Sequence, residues 1–332
     1  MKAAVCTRYG PPDVVELVEV EKPVPNAGEV LLKVHAASVN PLDWKLMAGT
    51  PYVARLFFGL RKPKRTRPGV DVAGRVEAVG PNATRFKPGD EVFGACRGAF
   101  AEYVCTPETV LATKPANVTF EQASCAAVAG FTALQGLRDK GRIQAGQKVL
   151  VNGAAGGVGT FAVQVAKSFG GDVTGVCSTR NVEMVRSLGA DRVIDYTRED
   201  FTKSEARYDL FFDCIGNHSI SACRRVLKPR GLCVMAGGPK EPWQLMGRLV
   251  RALVSSLFVR PKFVMFVARR SEEDLAVLRD LMAAGKLTPV IDRCYNLGEV
   301  REALRYQAEG HARGKVIIVP QQGEQRSVRE KQ

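Results

Sequence analysis

The chemistry legible in this chain begins at a glycine turn. In "VLVNGAAGGVGTF", residues 149–161, a strand-like run leads into closely spaced glycines and then into a helical run. The spacing Ala154-x-Gly156-x-x-Gly159 is a dinucleotide fingerprint with Ala in place of its first Gly. Gly156 lets a backbone come close to a pyrophosphate, and Gly159 lets the helix sit tight on the strand. The free N–H groups at the helix start then point at the anion. Gly153, Ala155, Gly156, Gly157, Val158 and Gly159 are therefore expected at the cofactor phosphates.

The next chemical signal is a missing acid. About 20 residues past such a turn, an Asp or Glu would hydrogen-bond the ribose 2′-hydroxyl of NAD and repel a 2′-phosphate. Here "DVTGVCSTRN", residues 172–181, ends instead in Ser178, Thr179 and Arg180. Hydroxyl donors and a guanidinium suit a dianionic phosphate. The expected cofactor is NADPH, with a charge-assisted contact of about 1.5–3 kcal/mol. The competing reading leaves Arg180 in solvent and the site indifferent to the phosphate. Tyr196, at the end of the next strand, either flanks the adenine ribose or is an ordinary strand-end aromatic.

The elements that must position these residues follow from periodicity. From Lys148 onward, strand-like and helical runs alternate: "KVLVNG", "VGTFAVQVAKSFG", "VTGVCS", "NVEMVRSLG", "RVIDY", "YDLFFDCIG", "HSISACRRVL" and "GLCVMAG". Val158, Phe161, Ala162, Val165, Ala166 and Phe169 recur at helical spacing and predict an amphipathic stripe. Such alternation argues for a parallel sheet covered by helices on both faces. Ligands of open α/β sheets bind at the carboxyl ends of the strands. Cys214, Ile215 and Gly216 after one strand, and Ala236 and Gly237 after the next, are thus expected near the nicotinamide half.

Residues 1–115 read differently. Short Val-rich runs such as "VLLKVHAASV" and "DVAGRVEAVG" are punctuated by Gly and Pro, with no clear helix between them. The pattern changes near Thr119, where "TFEQ" forms a capping box before an apolar helical run. In "SEEDLAVLRDLMAAGKL", Ser271 serves as N-cap and Gly285 closes a further helix.

Composition narrows the class. The 332 residues are 45% apolar and 25% charged, as in a globular protein with a sizeable core. The last dozen residues carry almost no apolar side chains and read as a tail. Nine cysteines without a C-x-x-C pair indicate neither a zinc ribbon nor a disulfide framework, and point to a reducing cytoplasm. The start lacks an apolar core long enough for a signal peptide. The net charge of +14 raises nucleic acid and membrane surfaces as partners. Yet the most basic run, "RKPKRTRP" at 61–68, has no aromatic residue for base stacking and reads as a solvated loop. Residues 246–270 mix apolar and basic residues. They read as a sheet helix and core strand before a peripheral membrane segment.

A resemblance draws these parts together. "AASVNPLDWKLMAG", "RPGVDVAGRVEAVG", "FKPGDEVFG", "FAEYV", "AGFTALQGL", "VLVNGAAGGVG", "LGADRVIDY", "LKPRGLCVMAG" and "HARGKVIIV" occur in one order across nearly the whole chain. In them the chain resembles the medium-chain dehydrogenase/reductase superfamily, and within it the zinc-free quinone oxidoreductases of zeta-crystallin type. The resemblance implies an α/β protein with a GroES-like β-rich catalytic domain, residues 1–118 and 262–332, and a Rossmann doubly wound parallel-sheet domain, residues 119–261. It also implies an active site in the cleft between them and a homodimer. It keeps open a role in binding RNA or a protein partner.

Zinc-dependent members of that superfamily carry Cys, His and Cys ligands. The matching positions here are Asn40, Val70 and Ala129, a set that cannot hold zinc. Without a Lewis acid, the fitting substrate is a small electrophilic acceptor, a quinone or an α,β-unsaturated carbonyl compound. By position, Asn40 is expected to hydrogen-bond the acceptor oxygen. Lys45 either assists by charge or proton transfer or is a surface lysine. Tyr52 is expected to face the acceptor, and Asp43 to orient its loop. Phe263 to Val267 either caps the cofactor or forms a dimer edge. Lys315 matches a recurrent family position and is expected to contact the cofactor.

Overall fold

The structure, a computed structural model, describes residues 1–50, 55–64, 66–238, 247 and 262–320. These residues form two compact units: Met1–Thr113 with Arg293–Gly310 and the chain from Val316, and Lys114–Asp292 with His311–Lys315. The expected tail, and most of the segment 246–270, lie outside the described residues. Among the described residues no helix is long and apolar enough to cross a membrane.

The first unit is built on sheets. β1 (Lys2–Cys6) pairs antiparallel with β2 (Val15–Glu19). The long β3 (Glu29–Val39) pairs antiparallel with β4 (Asp71–Val79), and β4 with β5 (Glu91–Ala95). β6 (Tyr103–Pro107) also pairs with β3, and β7 (Leu111–Thr113) closes on β5. Inward-facing Val30, Leu32, Val72, Phe93 and Leu111 are fully buried, the apolar face that a half-buried strand requires. A helix interrupts this unit between β3 and β4. α1 (Pro41–Ala48) starts at Asn40 with Pro41 in its first turn and ends at Gly49 in the left-handed region. Periodicity concealed it because only Asp43 and Met47 are buried along its eight residues. A four-residue helix, α2 (Arg55–Phe58), follows.

The second unit opens as expected with a cap. Thr119 accepts the Gln122 N–H at the start of α3 (Phe120–Ser124), which leads into α4 (Ala126–Leu134). Then strands and helices alternate: β8 (Lys148–Asn152), α5 (Gly157–Ser168), β9 (Asp172–Cys177), α6 (Val182–Ser187), β10 (Arg192–Asp195), β11 (Tyr208–Asp213), α7 (Ile220–Arg225) and β12 (Leu227–Met235). With β13 (Lys262–Met265) they form a six-stranded, all-parallel sheet in the order β10-β9-β8-β11-β12-β13. The chain winds outward in both directions from β8 and β11, the topology that leaves a ligand crevice at their carboxyl ends.

Two expectations shift. α5 is not a half-exposed amphipathic helix: Thr160, Val163 and Gln164 are buried together with Phe161, Ala162, Val165 and Ala166 of the predicted stripe. α4 packs on its other side, and the Gln164 amide donates to the Thr288 carbonyl at 3.1 Å. The return to the first unit was expected at residue 262, yet β13 pairs with β12. The next helix, α8 (Glu272–Ala283), capped by Ser271 as predicted, packs on α4. The chain rejoins the first unit at Arg293, within β14 (Ile291–Asn296), and continues through α9 (Val300–Glu309) to β15 (Lys315–Val319), which pairs with β3.

The core under the parallel sheet gathers Leu150, Val176, Phe201, Phe211, Cys233, Met235 and Phe263. Phe211 is fully buried and meets the Phe201 ring edge-on at 5.8 Å. Phe211→Ala should cost this unit about 3–5 kcal/mol. Denaturant unfolding followed by circular dichroism checks this.

Candidate functional site

The glycine turn joins β8 to α5, and two of its glycines do different work. A Cβ on Gly159 would lie 2.0 Å from the Gly153 carbonyl oxygen, so the helix reaches the strand only because that atom is missing. Gly156 is the N-cap of α5 with ordinary extended angles, φ −84° and ψ 174°. A Cβ there would meet nothing nearer than the Gly153 oxygen at 3.4 Å. Neither backbone strain nor packing explains its glycine; the open space above it does, because a phosphate approaching the turn would occupy that space. α5 is 12 residues long, so its first N–H groups have no partner within the helix and carry its positive pole. These features fit a dinucleotide pyrophosphate.

A segment far along the chain borders the turn. The Gly314 N–H donates to the Ala155 carbonyl at 2.9 Å, and Gly156 and Gly314 form a parallel bridge. The buried Lys315 runs beside Gly157, with its Cδ 3.1 Å from where a Cβ of that glycine would sit. The structure thus brings Lys315 to the helix start together with Gly153, Ala155, Gly156, Gly157, Val158 and Gly159.

At the end of β9, Ser178 is half-buried, and its hydroxyl accepts the Asn181 amide N–H at 3.0 Å. Arg180 is exposed, with Nη2 donating to the His311 carbonyl at 3.2 Å. Thr179 departs from expectation. Its hydroxyl donates to Asp195 Oδ2 at 2.6 Å, so it does not offer a hydrogen to a phosphate. The acid missing from β9 therefore stands on the neighbouring strand, since Asp195 is the register partner of Cys177. The Thr179 hydroxyl, chiefly, holds the Asp195 carboxyl below the usual carboxylate range, with help from Thr197 and Arg198. Asp195 Oδ1 accepts the N–H of Thr197 at 3.0 Å and its hydroxyl at 2.8 Å, and Arg198 lies 3.5 Å from Oδ2. Both carboxylate oxygens are thus engaged within the protein. Tyr196 is largely exposed at the same strand end.

The loops after β11 and β12 are held by one residue. Asp213 is 1% exposed, and its Oδ1 accepts from Asn152 Nδ2 at 2.9 Å, Ile215 N–H at 3.1 Å and Gly216 N–H at 2.9 Å. Its carbonyl oxygen accepts the N–H groups of Ala236 and Gly237 at 2.9 and 3.0 Å. Cys214 N–H donates to the Asn152 carbonyl at 3.1 Å. The carboxyl ends of β8, β11 and β12 are thereby tied together. Burial pushes the Cys214 thiol far above its usual pKa, so it is no thiolate nucleophile. Ile215 is partly exposed, and its side chain lies against the glycine turn, its Cδ1 2.7 Å from where a Cβ of Gly153 would sit.

In the first unit, Asn40 is 2% exposed and engaged within the fold. Its Nδ2 donates to Asp71 Oδ2 at 3.0 Å and to the Ser38 carbonyl at 3.3 Å. Its backbone N–H donates to Asp43 Oδ2 at 2.8 Å. The expected hydrogen bond from its amide to a substrate oxygen is therefore corrected: both donors already have protein acceptors. Asp43 also accepts the Gly69 N–H at 3.2 Å, and so ties the start of α1 to the loop before β4. Lys45 is half-buried on α1, its ammonium 5.8 Å from the Trp44 ring centroid. Desolvation lowers its pKa below the ordinary value of 10.5. Tyr52 lies outside the described residues. A catalytic zinc does not fit the three matching positions. Asn40 is engaged by Asp71 and Ser38, and Val70 and Ala129 have no ligand atom.

A sheet order built outward from a glycine turn, joined to a GroES-like unit, defines a dinucleotide-dependent dehydrogenase/reductase. The family models agree: residues 26–116 match an alcohol dehydrogenase GroES-like domain, and residues 188–318 match a zinc-binding dehydrogenase domain. The chain is 33% identical over 322 residues to a chloroplast envelope quinone oxidoreductase homolog of Arabidopsis thaliana, covering 92% of this chain and 94% of that one. It is 36% identical to a chloroplastic NADPH-dependent alkenal/one oxidoreductase of the same plant, covering 96% and 80%. The quinone oxidoreductase of Coxiella burnetii superposes with a TM-score of 0.83 at 31% identity, covering 97% of this chain and 99% of that one. The chain belongs to the quinone oxidoreductase-like family of the medium-chain dehydrogenase/reductase superfamily. It is an NAD(P)H-dependent oxidoreductase of the quinone/enone reductase type.

The two glycines give a direct test of the cofactor site. Gly156→Ala should change folding stability by no more than about 0.5 kcal/mol, as at an unstrained open position. It should still weaken NADPH binding about tenfold or more, measured by fluorescence titration. Gly159→Ala should destabilise the fold by about 2 kcal/mol or more in thermal melting, because its Cβ meets backbone.

Proposed function

We propose that this chain is an NADPH-preferring reductase that works without zinc and delivers a hydride to quinones or α,β-unsaturated carbonyl compounds. The carrying observation is the end of β9. There Ser178 and Arg180 offer donors, while the acid on the neighbouring strand, Asp195, is engaged by Thr179, Thr197 and Arg198. A dianionic 2′-phosphate gains from such a set, whereas a bare ribose finds no free carboxylate. Similarity to a protein named for NADPH-dependent alkenal/one reduction supports the same reading. Bound NADPH supplies the hydride.

The pyrophosphate is bound by the start of α5 with Lys315 beside it, and the nicotinamide half is bordered by residues 214–216 and 236–237. Hydride reaches the electrophilic carbon of the acceptor. The electron pair of the conjugated double bond moves toward the carbonyl oxygen, and a proton completes the reduced product. Lys45 is the proposed proton source or counter-charge, because desolvation eases loss of its proton.

The deciding assay is oxidation of NADPH and NADH, in parallel, with a simple quinone and a 2-alkenal, with and without chelator. The expected result is turnover that prefers NADPH and is indifferent to chelator. Equal use of the two cofactors would reject the phosphate site, and loss of activity with chelator would reject the metal-free chemistry.

A pH profile tests Lys45 separately. If its ammonium gives the proton, kcat with the 2-alkenal falls as pH rises through a pKa below 10.5. Lys45→Met should remove that limb and lower kcat about 100-fold or more. An unchanged profile in the variant would assign the proton to another donor.

We further infer a homodimer through β13, an end strand of the parallel sheet among the described residues, where Met265 is half-exposed and Val267 lies just beyond it. A monomer in light scattering would overturn this.

A further inference from the structure

We propose that Arg313 supplies a second guanidinium to the adenosine 2′-phosphate site. The short segment 311–315 would then share with the end of β9 the choice of a phosphorylated cofactor. This deepens the NADPH reading above and rests on it.

The segment reaches the β9 end by two reciprocal bonds. Arg180 Nη2 donates to the His311 carbonyl at 3.2 Å, and Arg313 Nη2 donates to the Arg180 carbonyl at 3.4 Å. Two guanidinium groups are thus held at one loop. The Arg313 backbone is pinned separately, its N–H donating to Asp292 Oδ2 at 3.0 Å.

The second observation is a pair of unmet polar atoms. Among the described residues, two buried side-chain nitrogen or oxygen atoms have no hydrogen-bond partner: Arg313 Nε and Asn181 Oδ1. Both lie at this loop. Native folds rarely leave buried polar groups unpaired, and those that remain call for a ligand or another explanation. A guanidinium has five donors arranged to grip an oxyanion in two places. The one bond from the Arg313 guanidinium among the described contacts is long. Asn181 needs a donor, unless its amide turns over to accept from the Ser178 hydroxyl, which would leave an N–H unpaired instead. A 2′-phosphate at this loop would accept from the exposed Nη2 end of the Arg313 guanidinium, while Nε and Asn181 Oδ1 are closed to solvent behind it. Two acids stand at this end of the sheet: Asp195, whose oxygens are taken by Thr179, Thr197 and Arg198, and Asp292, whose Oδ2 takes the Arg313 N–H.

The test uses binding fragments rather than turnover. The full chain and its Arg313→Met, Arg313→Lys and Arg180→Met variants are titrated by calorimetry with adenosine 2′,5′-bisphosphate and with 5′-AMP. Thermal melting confirms that each variant is folded. The expected result is a wild-type preference for the bisphosphate. In Arg313→Met, bisphosphate binding should weaken about tenfold and 5′-AMP binding stay unchanged. Arg313→Lys should fall between, since it keeps the charge and loses the fork; should the Met variant not fold, the Lys variant must still show a partial loss. A wild-type preference abolished by Arg180→Met but unmoved in both Arg313 variants would overturn the role of Arg313 and leave the NADPH reading standing. No wild-type preference between the two fragments would overturn both.

Discussion

A single buried carboxylate organises the second unit. Asp213 sits at the end of β11, almost without solvent, where an ionised group is tolerated only if donors surround it. It gathers the amide of Asn152 and the N–H groups of Ile215 and Gly216, while its carbonyl takes those of Ala236 and Gly237. Every one of those donors belongs to the carboxyl end of a central strand or to the loop that follows it. The loops expected near the nicotinamide are therefore held against the strand ends by this one buried residue. The glycine turn is braced in its own way, because α5 touches β8 through the missing side chain of Gly159. A Cβ at Gly156 would meet only the Gly153 carbonyl oxygen, at 3.4 Å, which leaves room beside the turn.

The first unit shows what polar residues do when metal ligands are absent. Ser38, Asn40, Asp43 and Asp71 form a buried cluster in which the Ser38 hydroxyl and the Asn40 amide both donate to Asp71. Asp43 joins the start of α1 to Gly69. A buried polar network of this kind is stabilising only when its members are satisfied, and it fixes local geometry. Asn40 is thus engaged within the fold, while Lys45, on the same helix, is half-buried with its ammonium 5.8 Å from the Trp44 ring centroid, and desolvation lowers its pKa.

The β9 end shows how specificity can depend on a residue's neighbours more than on its type. Ser178, Thr179 and Arg180 read alike as donors in the sequence. In the fold, Thr179 turns to Asp195, and Arg180 turns to the backbone of a segment more than a hundred residues away. Asp195 comes to the site because β10 pairs with β9 in parallel register. Arg313 comes because the chain between β14 and β15 passes along the glycine turn.

The sequence by itself determined the parts whose physics is local. The glycine spacing, the caps at Thr119 and Ser271, and the alternation of strand and helix after Lys148 each follow from neighbouring residues, and each is present in the structure. α1 was not legible, because a helix that buries only Asp43 and Met47 has no apolar period. The burial of α5 on every side between Gly159 and Ala166 was not legible either, since α4 and the loop at Thr288 cover a face that reads as semi-polar. Only the tertiary structure decided that β13 stays with the parallel sheet, because four residues carry no signal of which strand they will pair with. It alone decided the partners of Asn40 and Thr179, and it alone brought Asp195 and Arg313 to the β9 end. A hydrogen bond is made by position in space, and these positions are set by strand register and chain return, which no local pattern encodes.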